Sequence, residues 1–105
     1  MKEKYANRIS YTDTTPFEII KQNTPNKLTI RSMIIEQDPN WKPKFVEGGF
    51  CGICVNQNDQ RWIIKSNPNG VINTIRKNKK GEWRDIYKSK YILSENPVKV
   101  YDYNF

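Results

Sequence analysis

The side chains best suited to binding chemistry are concentrated between residues 49 and 62. Amide side chains there could read the donors and acceptors of a base edge, and a guanidinium could hold a phosphate or stack on a base. Nearby glycines allow a ligand to approach the backbone closely. The candidates in this stretch are Phe50, Asn56, Gln57, Gln60 and Arg61. The alternative is that this stretch is an ordinary polar turn between two strands.

A second candidate lies at a basic hairpin between residues 76 and 84. Cations interleaved with an aromatic ring can hold a phosphate backbone and stack a base. We expect Arg76, Trp83 and Arg84 to make the specific contacts, because they fall within strands. Lys79 and Lys80 fall in the turn, where lysines commonly serve solubility. Trp41, in a proline-rich segment, is a further candidate for stacking.

Cys51 and Cys54 have the spacing of a redox pair or of half a zinc site. A zinc site needs four ligands, and the chain has no histidine and no other cysteine. We therefore predict no metal and no cofactor, and interpret the two cysteines as small buried residues. The chain has no histidine, the commonest general base, and no phosphate-binding loop or nucleophile elbow, so the sequence predicts a binding protein and not an enzyme. A hydrolase that uses Asp, Glu and a metal ion to degrade a nucleotide signal is the alternative.

Composition agrees with an anionic partner. The chain has 105 residues with 18 Lys and Arg against 11 Asp and Glu, a net charge of +7. Residues 53–105 carry ten basic and five acidic groups, net +5, whereas residues 1–52 carry eight and six, net +2. Such a field favours nucleic acid, nucleotides or an acidic protein surface. A lysine-rich surface that serves only solubility is the alternative.

The elements that position these residues are predicted to be strands. Apolar runs are short and turn residues are frequent, which favours strands over helices. Residues 17–21 and 27–31 predict a hairpin with Leu28 and Ile30 facing inward, and further strands are expected at 60–65, 71–77, 82–87, 91–93 and 98–101. Residues 38–45 contain two prolines and predict an ordered loop, and 48–52 a second irregular stretch. One short helix within 56–60 or 7–15 remains an alternative.

The fold class is thus mainly β: a small antiparallel barrel or sandwich of six to seven strands, forming a single domain over residues 1–105. Twelve per cent aromatic residues argue against disorder, despite a mean hydropathy of −0.85. No segment reaches the ~20 apolar residues of a membrane span, and residues 1–7 lack the apolar stretch that is typical of a signal peptide. We expect a cytoplasmic protein with no membrane association.

Short motifs along most of the chain resemble a family of bacteriophage and prophage proteins of poorly defined function. The matching stretches are residues 11–18 (YTDTTPFE), 38–43 (DPNWKP), 48–50 (GGF), 56–57 (NQ), 60–62 (QRW), 67–70 (NPNG), 81–84 (GEWR) and 101–105 (YDYNF). The family pattern has Gly-His-Cys where this chain has Gly52-Ile53-Cys54. The resemblance implies a phage or prophage origin and a location in the infected bacterial cytoplasm.

The sequence hypothesis is a phage anti-defence protein that sequesters an anionic nucleotide signal, such as a cyclic oligonucleotide or an ADP-ribose derivative. Phosphates would be held by Arg61, Arg76 and Arg84. Asn56, Gln57 and Gln60 would read the bases. Stacking would come from Phe50, Trp41 or Trp83. Enclosing such a ligand predicts a homo-oligomer, built through the aromatic C-terminus. The alternative hypothesis is an interaction protein that inhibits a host defence nuclease or binds nucleic acid through the basic hairpin.

Overall fold

The computed structural model of the chain describes residues 1–48, 51–54, 56, 58 and 60–102, with the backbone alone for 45–48 and 51–53. The fold is mainly β, and the described residues contain no α-helix. The strands are β1 Tyr5–Ile9, β2 Asp13–Thr24, β3 Lys27–Ser32, β4 Ile34–Gln37, β5 Phe45–Gly48, β6 Cys51–Cys54, β7 Trp62–Lys65, β8 Ile72–Lys77, β9 Trp83–Arg84, β10 Lys90–Ser94 and β11 Val100–Tyr101.

Six of these strands close an antiparallel barrel. The hydrogen-bonded order is β1-β10-β9-β8-β3-β2, and β1 also pairs with β2, which completes the cylinder. β11 adds a seventh strand beside the start of β2. Two hairpin-like pairs, β4 with β7 and β5 with β6, form separate two-stranded sheets. The predicted fold class, a small barrel of six to seven strands, is confirmed.

The barrel interior is filled by side chains from five of its strands. The central cluster comprises Ala6, Phe17, Leu28, Ile30, Ile75 and Tyr91. The predicted hairpin with Leu28 and Ile30 inward is confirmed, since both are fully buried. Their neighbours in sequence face outward, as the two-residue period of a strand requires. The barrel therefore separates an apolar interior from a polar outer face.

Turn residues fit their places in the fold. A Cβ added to Gly70 would lie 2.2 Å from the carbonyl oxygen of Ser32, so only glycine allows β3 and the start of β8 to approach this closely. Gly81 has a φ of +80°, which lets the turn between β8 and β9 close. The predicted turns at 67–70 and 79–81 are confirmed.

Several details differ from the sequence predictions: β7, β8 and β11 begin one or two residues later than expected, and Phe45 of the predicted 38–45 loop begins β5. Residues 7–15, where a helix was an alternative, form the end of β1 and the start of β2. The strand expected at 82–87 stops at Arg84, because the Asp85 carboxylate caps a turn that spans 85–89. The stretch 48–52, expected to be irregular, contributes the end of β5 and the start of β6. The segment 38–44 is a loop, as predicted.

Candidate functional site

Four cationic residues lie side by side across adjacent strands of the barrel. Lys27 of β3 is the register partner of Arg76 of β8, Arg76 is the partner of Arg84 of β9, and Arg84 is the partner of Lys90 of β10. We call these four residues the basic row. The row runs across four strands, so Lys27 and Lys90, which are 63 positions apart in the chain, belong to the same row.

The basic row lies on the outside of the barrel. Leu28, Ile75 and Tyr91, each next in sequence to a row residue, are buried in the core. Because side chains alternate along a strand, the row residues point to the opposite face. Arg76 is exposed, and the side chains of Arg84 and Lys90 are 36% and 46% exposed. All four are thus placed to meet a ligand from solvent.

The row concentrates charge of one sign. Residues opposite each other in antiparallel strands have Cβ atoms about 4.5–5.5 Å apart, and like charges there destabilise the sheet by up to about 1 kcal/mol per pair. The row contains three such pairs. Residues 76–90 hold seven basic and two acidic groups, a net +5 out of the chain's +7. A bound polyanion would relieve this repulsion.

Glu82 is the counter-ion at one end of the row. Its Oε2 lies 3.3 Å from Nη2 of Arg84 and 3.5 Å from Nζ of Lys90. A hydrogen bond from Asn78, followed by the interaction with Arg84, lowers the pKa of the Glu82 carboxyl. Within the described part of the chain, Lys27 and Arg76 have no ion-pair partner. The uncompensated charge therefore lies at the β3–β8 end of the row.

A groove runs along the outer surface next to the row. Its volume is about 380 Å³, and its lining residues are Thr74, Arg76, Lys77, Asn78, Arg84, Asp85 and Ile86. Arg76 and Arg84 thus face one concave surface. Ile86 is 80% exposed, as is the adjacent Tyr87. The groove combines guanidinium groups with an apolar edge, which suits a phosphate-bearing ligand that also carries flat rings.

The structure brings together two of the predicted arginines, not three. Arg76 and Arg84 share the groove, but Arg61 immediately precedes β7, which pairs with β4 outside the barrel. Trp83 lies next to Arg84 and is partly buried against the core, with Nζ of Lys77 5.7 Å from its ring centroid. Trp83 therefore packs against the core beside the site, and its ring is not a free surface on which a nucleobase could stack.

Gln60 has a structural role that the sequence did not reveal. Its Nε2 donates to the carbonyl of Tyr101 at 2.9 Å, and its Oε1 accepts from the Tyr101 N–H and from Nε1 of Trp62, each at 2.7 Å. The amide thus pairs with the β11 backbone as a strand would. Its prediction as a base-reading residue conflicts with this geometry, because both polar atoms are already engaged.

Asn56 and Trp41 also conflict with their predicted roles. Oδ1 of Asn56 accepts from the Lys44 N–H at 2.7 Å, and its Nδ2 donates to the Lys42 carbonyl at 2.8 Å. The amide therefore holds the 42–44 loop against the end of β6. Trp41 is 6% exposed, so its ring lacks the open face that stacking on a base requires.

Several predictions fall on residues outside the described part. Phe50 and Gln57 lie there, as do residues 103–105 of the C-terminus that was expected to form an oligomer interface. Cys51 and Cys54 begin and end β6, so an extended backbone separates their Cα atoms by about 10 Å. That separation exceeds the ~7 Å limit for a disulfide. Cys54 is buried, although outside the central cluster of the barrel.

Four residues at this site were not predicted from the sequence. Lys27 and Lys90 join the row only through strand register, which has no signal in the sequence. Ile86 and Tyr87 were assigned to a strand, although Asp85 before them is a common turn residue and was the available signal.

Among the described residues, no three Cys, Asp or Glu side chains are grouped so as to hold a metal ion, and no helix has the length and apolar character to cross a membrane. Comparison with protein families, curated proteins and solved structures finds no match to this chain.

Proposed function

We propose that this protein binds nucleic acid on the outside of its barrel, without catalysis. The observation that carries the proposal is the basic row, in which strand pairing sets four cations side by side. Among the described residues, Glu82 is the carboxylate that forms ion pairs with them. Repulsion between the four cations lowers the stability of the folded sheet. A phosphate backbone laid across the strands would replace this repulsion with attraction between cations and phosphates. Electrostatic contacts of this kind supply much of the affinity of nucleic-acid-binding proteins.

The dimensions of the surface support a chain-like ligand. The row spans four strands, and neighbouring strands lie about 4.8 Å apart, so it extends about 14 Å. An extended single strand laid across these strands would place two or three of its phosphates within this length. Lys79 and Lys80 line a second concave surface together with Arg84 and Lys88, which continues the positive surface beyond Arg84.

Salt dependence tests this proposal. A fluorescein-labelled 15-nucleotide single strand would be titrated with protein at 50, 100 and 200 mM NaCl, with binding followed by anisotropy. Two or three phosphate contacts predict a slope of log K against log salt of about −1.4 to −2.1, since each contributes about −0.7 on a single strand. Affinity should then fall roughly 7- to 18-fold over this range. No binding at 50 mM, or a slope near zero, would refute the proposal.

A small nucleotide signal is the second candidate ligand. The groove volume of about 380 Å³ falls within the range of small-molecule sites, and Arg76 and Arg84 both line it. Such a ligand would bind with a defined stoichiometry and weak salt dependence, and would be recovered intact after denaturation of the protein. Native mass spectrometry against cyclic oligonucleotides and ADP-ribose derivatives separates this candidate from the first.

We propose the infected bacterial cell as the setting for either ligand. The resemblance to short phage and prophage proteins supports this setting, in which a protein that covers nucleic acid or removes a nucleotide signal would oppose host defence. Assembly into a homo-oligomer and binding to a host defence nuclease stay predictions. Sedimentation velocity at micromolar protein tests the first, and pull-down from phage-infected cells tests the second.

A further inference from the structure

The turn after β9 exposes two large apolar side chains, and the first of them lines the groove beside the basic row. Ile86 and Tyr87 are each 80% exposed, and Ile86 lines the groove together with Arg76 and Arg84. Burying both side chains would add a few kcal/mol to the free energy of unfolding, and their exposure gives up this contribution. Tyr11 and Val71 are similarly exposed, and what distinguishes this turn is that Ile86 lines the same groove as Arg76 and Arg84.

The turn is held in one conformation. Oδ1 of Asp85 accepts hydrogen bonds from the N–H groups of Tyr87 at 2.9 Å and Ser89 at 3.1 Å. The Lys88 N–H donates to the Asp85 carbonyl at 3.0 Å, and the Lys88 carbonyl accepts from Nη1 of Arg84 at 2.6 Å. Because Arg84 belongs to the basic row, this last bond ties the turn directly to the cations.

The carboxylate of Asp85 also fixes the turn to the core. Its Oδ2 accepts from the hydroxyl of Tyr91 at 2.9 Å, and Tyr91 is 2% exposed. Lys88 takes a φ of +66°, a left-handed conformation that a non-glycine residue adopts at some cost. A rigid turn loses little entropy when it binds, so Tyr87 is presented as a preorganised surface.

We infer that the protein prefers single-stranded nucleic acid, with Tyr87 stacking on an unpaired base while the basic row holds the adjoining phosphates. This inference rests on the proposed function and narrows its substrate class. In a duplex the bases are stacked on one another and offer no free face to a side chain outside the grooves. In a single strand every base has a free face, so an exposed ring beside a row of cations selects for it.

Three probes with one variant pair test the inference. The probes are a 15-nucleotide oligo-dT, a 15-base-pair duplex and inorganic polyphosphate of similar charge, which has phosphates but no bases. The variants are Tyr87→Ala, which removes the ring, and Tyr87→Phe, which keeps it. Because Tyr87 is exposed, both variants should fold, and thermal denaturation would verify this.

We expect the wild-type protein to bind oligo-dT more tightly than the duplex. Tyr87→Ala should weaken oligo-dT binding about tenfold, within the range for loss of one stacked base. The same variant should change polyphosphate binding less than twofold, and Tyr87→Phe should bind oligo-dT like the wild type. This inference alone would be overturned if the protein bound polyphosphate but Tyr87→Ala left its affinity for oligo-dT unchanged. Tighter binding to the duplex than to oligo-dT would also overturn it. Failure of all three probes to bind would overturn the proposed function as well.

Discussion

The hydroxyl of Tyr91 donates a 2.9 Å hydrogen bond to Oδ2 of Asp85, which connects the barrel core to the turn beside the basic row. The Tyr91 ring is buried and packs edge-to-face on Phe17, with centroids 5.7 Å apart. The other carboxylate oxygen of Asp85 holds two backbone N–H groups of the turn. The position of the turn is therefore set by a residue inside the barrel.

Removing this hydroxyl should destabilise the protein without unfolding it. Tyr91→Phe keeps the buried ring but leaves Oδ2 of Asp85 without its donor, which should lower the free energy of unfolding by about 1 kcal/mol. Urea denaturation measures the change. Tyr87→Phe is the matched control, since it deletes a hydroxyl from an exposed tyrosine, and its denaturation midpoint should stay at the wild-type value. Equal midpoints for Tyr91→Phe and the wild type would contradict the role of this bond.

The same tyrosine predicts a late step in an alkaline titration. Burial, and then the hydrogen bond to Asp85, raise the pKa of Tyr91 from 10.0 to about 12. Because the pKa of Tyr91 is higher in the folded than in the unfolded state, its protonated hydroxyl contributes to the free energy of unfolding. This contribution is fully present below about pH 10 and is lost as the pH rises towards 12. Absorbance at 295 nm should show one tyrosine that ionises at a higher pH than the others, and this step should be absent in Tyr91→Phe. An unchanged titration curve in that variant would refute the assignment.

Glu18 predicts loss of stability in acid. Its Oε2 accepts from Oγ of Ser66 at 2.7 Å and its Oε1 from Nη2 of Arg31 at 2.8 Å, so the carboxylate links the end of β7 to the barrel. These bonds, that from Ser66 first, lower the pKa of Glu18 below its ordinary value of 4.5. The stability they contribute is present above that value and is lost as the pH falls through the lowered pKa.

The expected result is a steeper fall in melting temperature between pH 5 and 3 for the wild type than for Glu18→Gln, which cannot titrate. Glu36, an exposed carboxylate on β4, offers the control. Glu36→Gln should reproduce the wild-type pH dependence. Parallel curves for the wild type and Glu18→Gln would show that this carboxylate does not link stability to pH.

Glu82 predicts a gain of binding when its charge is removed. Its carboxylate neutralises Arg84 and Lys90 and would repel a phosphate at that end of the row. Glu82→Gln should therefore raise affinity for a labelled single-stranded oligonucleotide about threefold, the scale of a surface ion pair. Anisotropy titration at 100 mM NaCl measures it. Glu95→Gln, on the loop after β10 and paired with Lys2, should leave the affinity unchanged. A loss of affinity in Glu82→Gln would contradict the proposed position of the ligand.

The sequence predicted the parts of the fold that depend on local pattern. Alternation in residues 27–31 identified the inward positions of Leu28 and Ile30, and glycine identified two turns. β1 escaped prediction because both Ala6 and Asn7 are buried, which breaks the alternation. Asn7 is tolerated there because its amide donates to the Ile92 carbonyl and accepts from the Val98 N–H. Such long-range partners leave no trace in the local sequence.

The site was predicted in part, for the same reason. Arg76 and Arg84 could be recognised because they are basic and lie on either side of one turn. Lys27 and Lys90 could not, because the row depends on the register of β3 with β8 and of β9 with β10. The structural hydrogen bonds of Gln60 and Asn56 could not be foreseen, because an amide that binds a ligand and one that binds its own backbone have the same sequence signature.

The most direct test of the account compares two charge reversals that alter net charge equally. Arg76→Glu places a carboxylate in the middle of the basic row, whereas Arg61→Glu changes an exposed arginine before β7, outside the barrel. The measurement is oligonucleotide affinity by anisotropy at 100 mM NaCl. We predict at least a tenfold loss for Arg76→Glu and less than a twofold loss for Arg61→Glu. Equal losses, or a larger loss for Arg61→Glu, would contradict binding at the basic row.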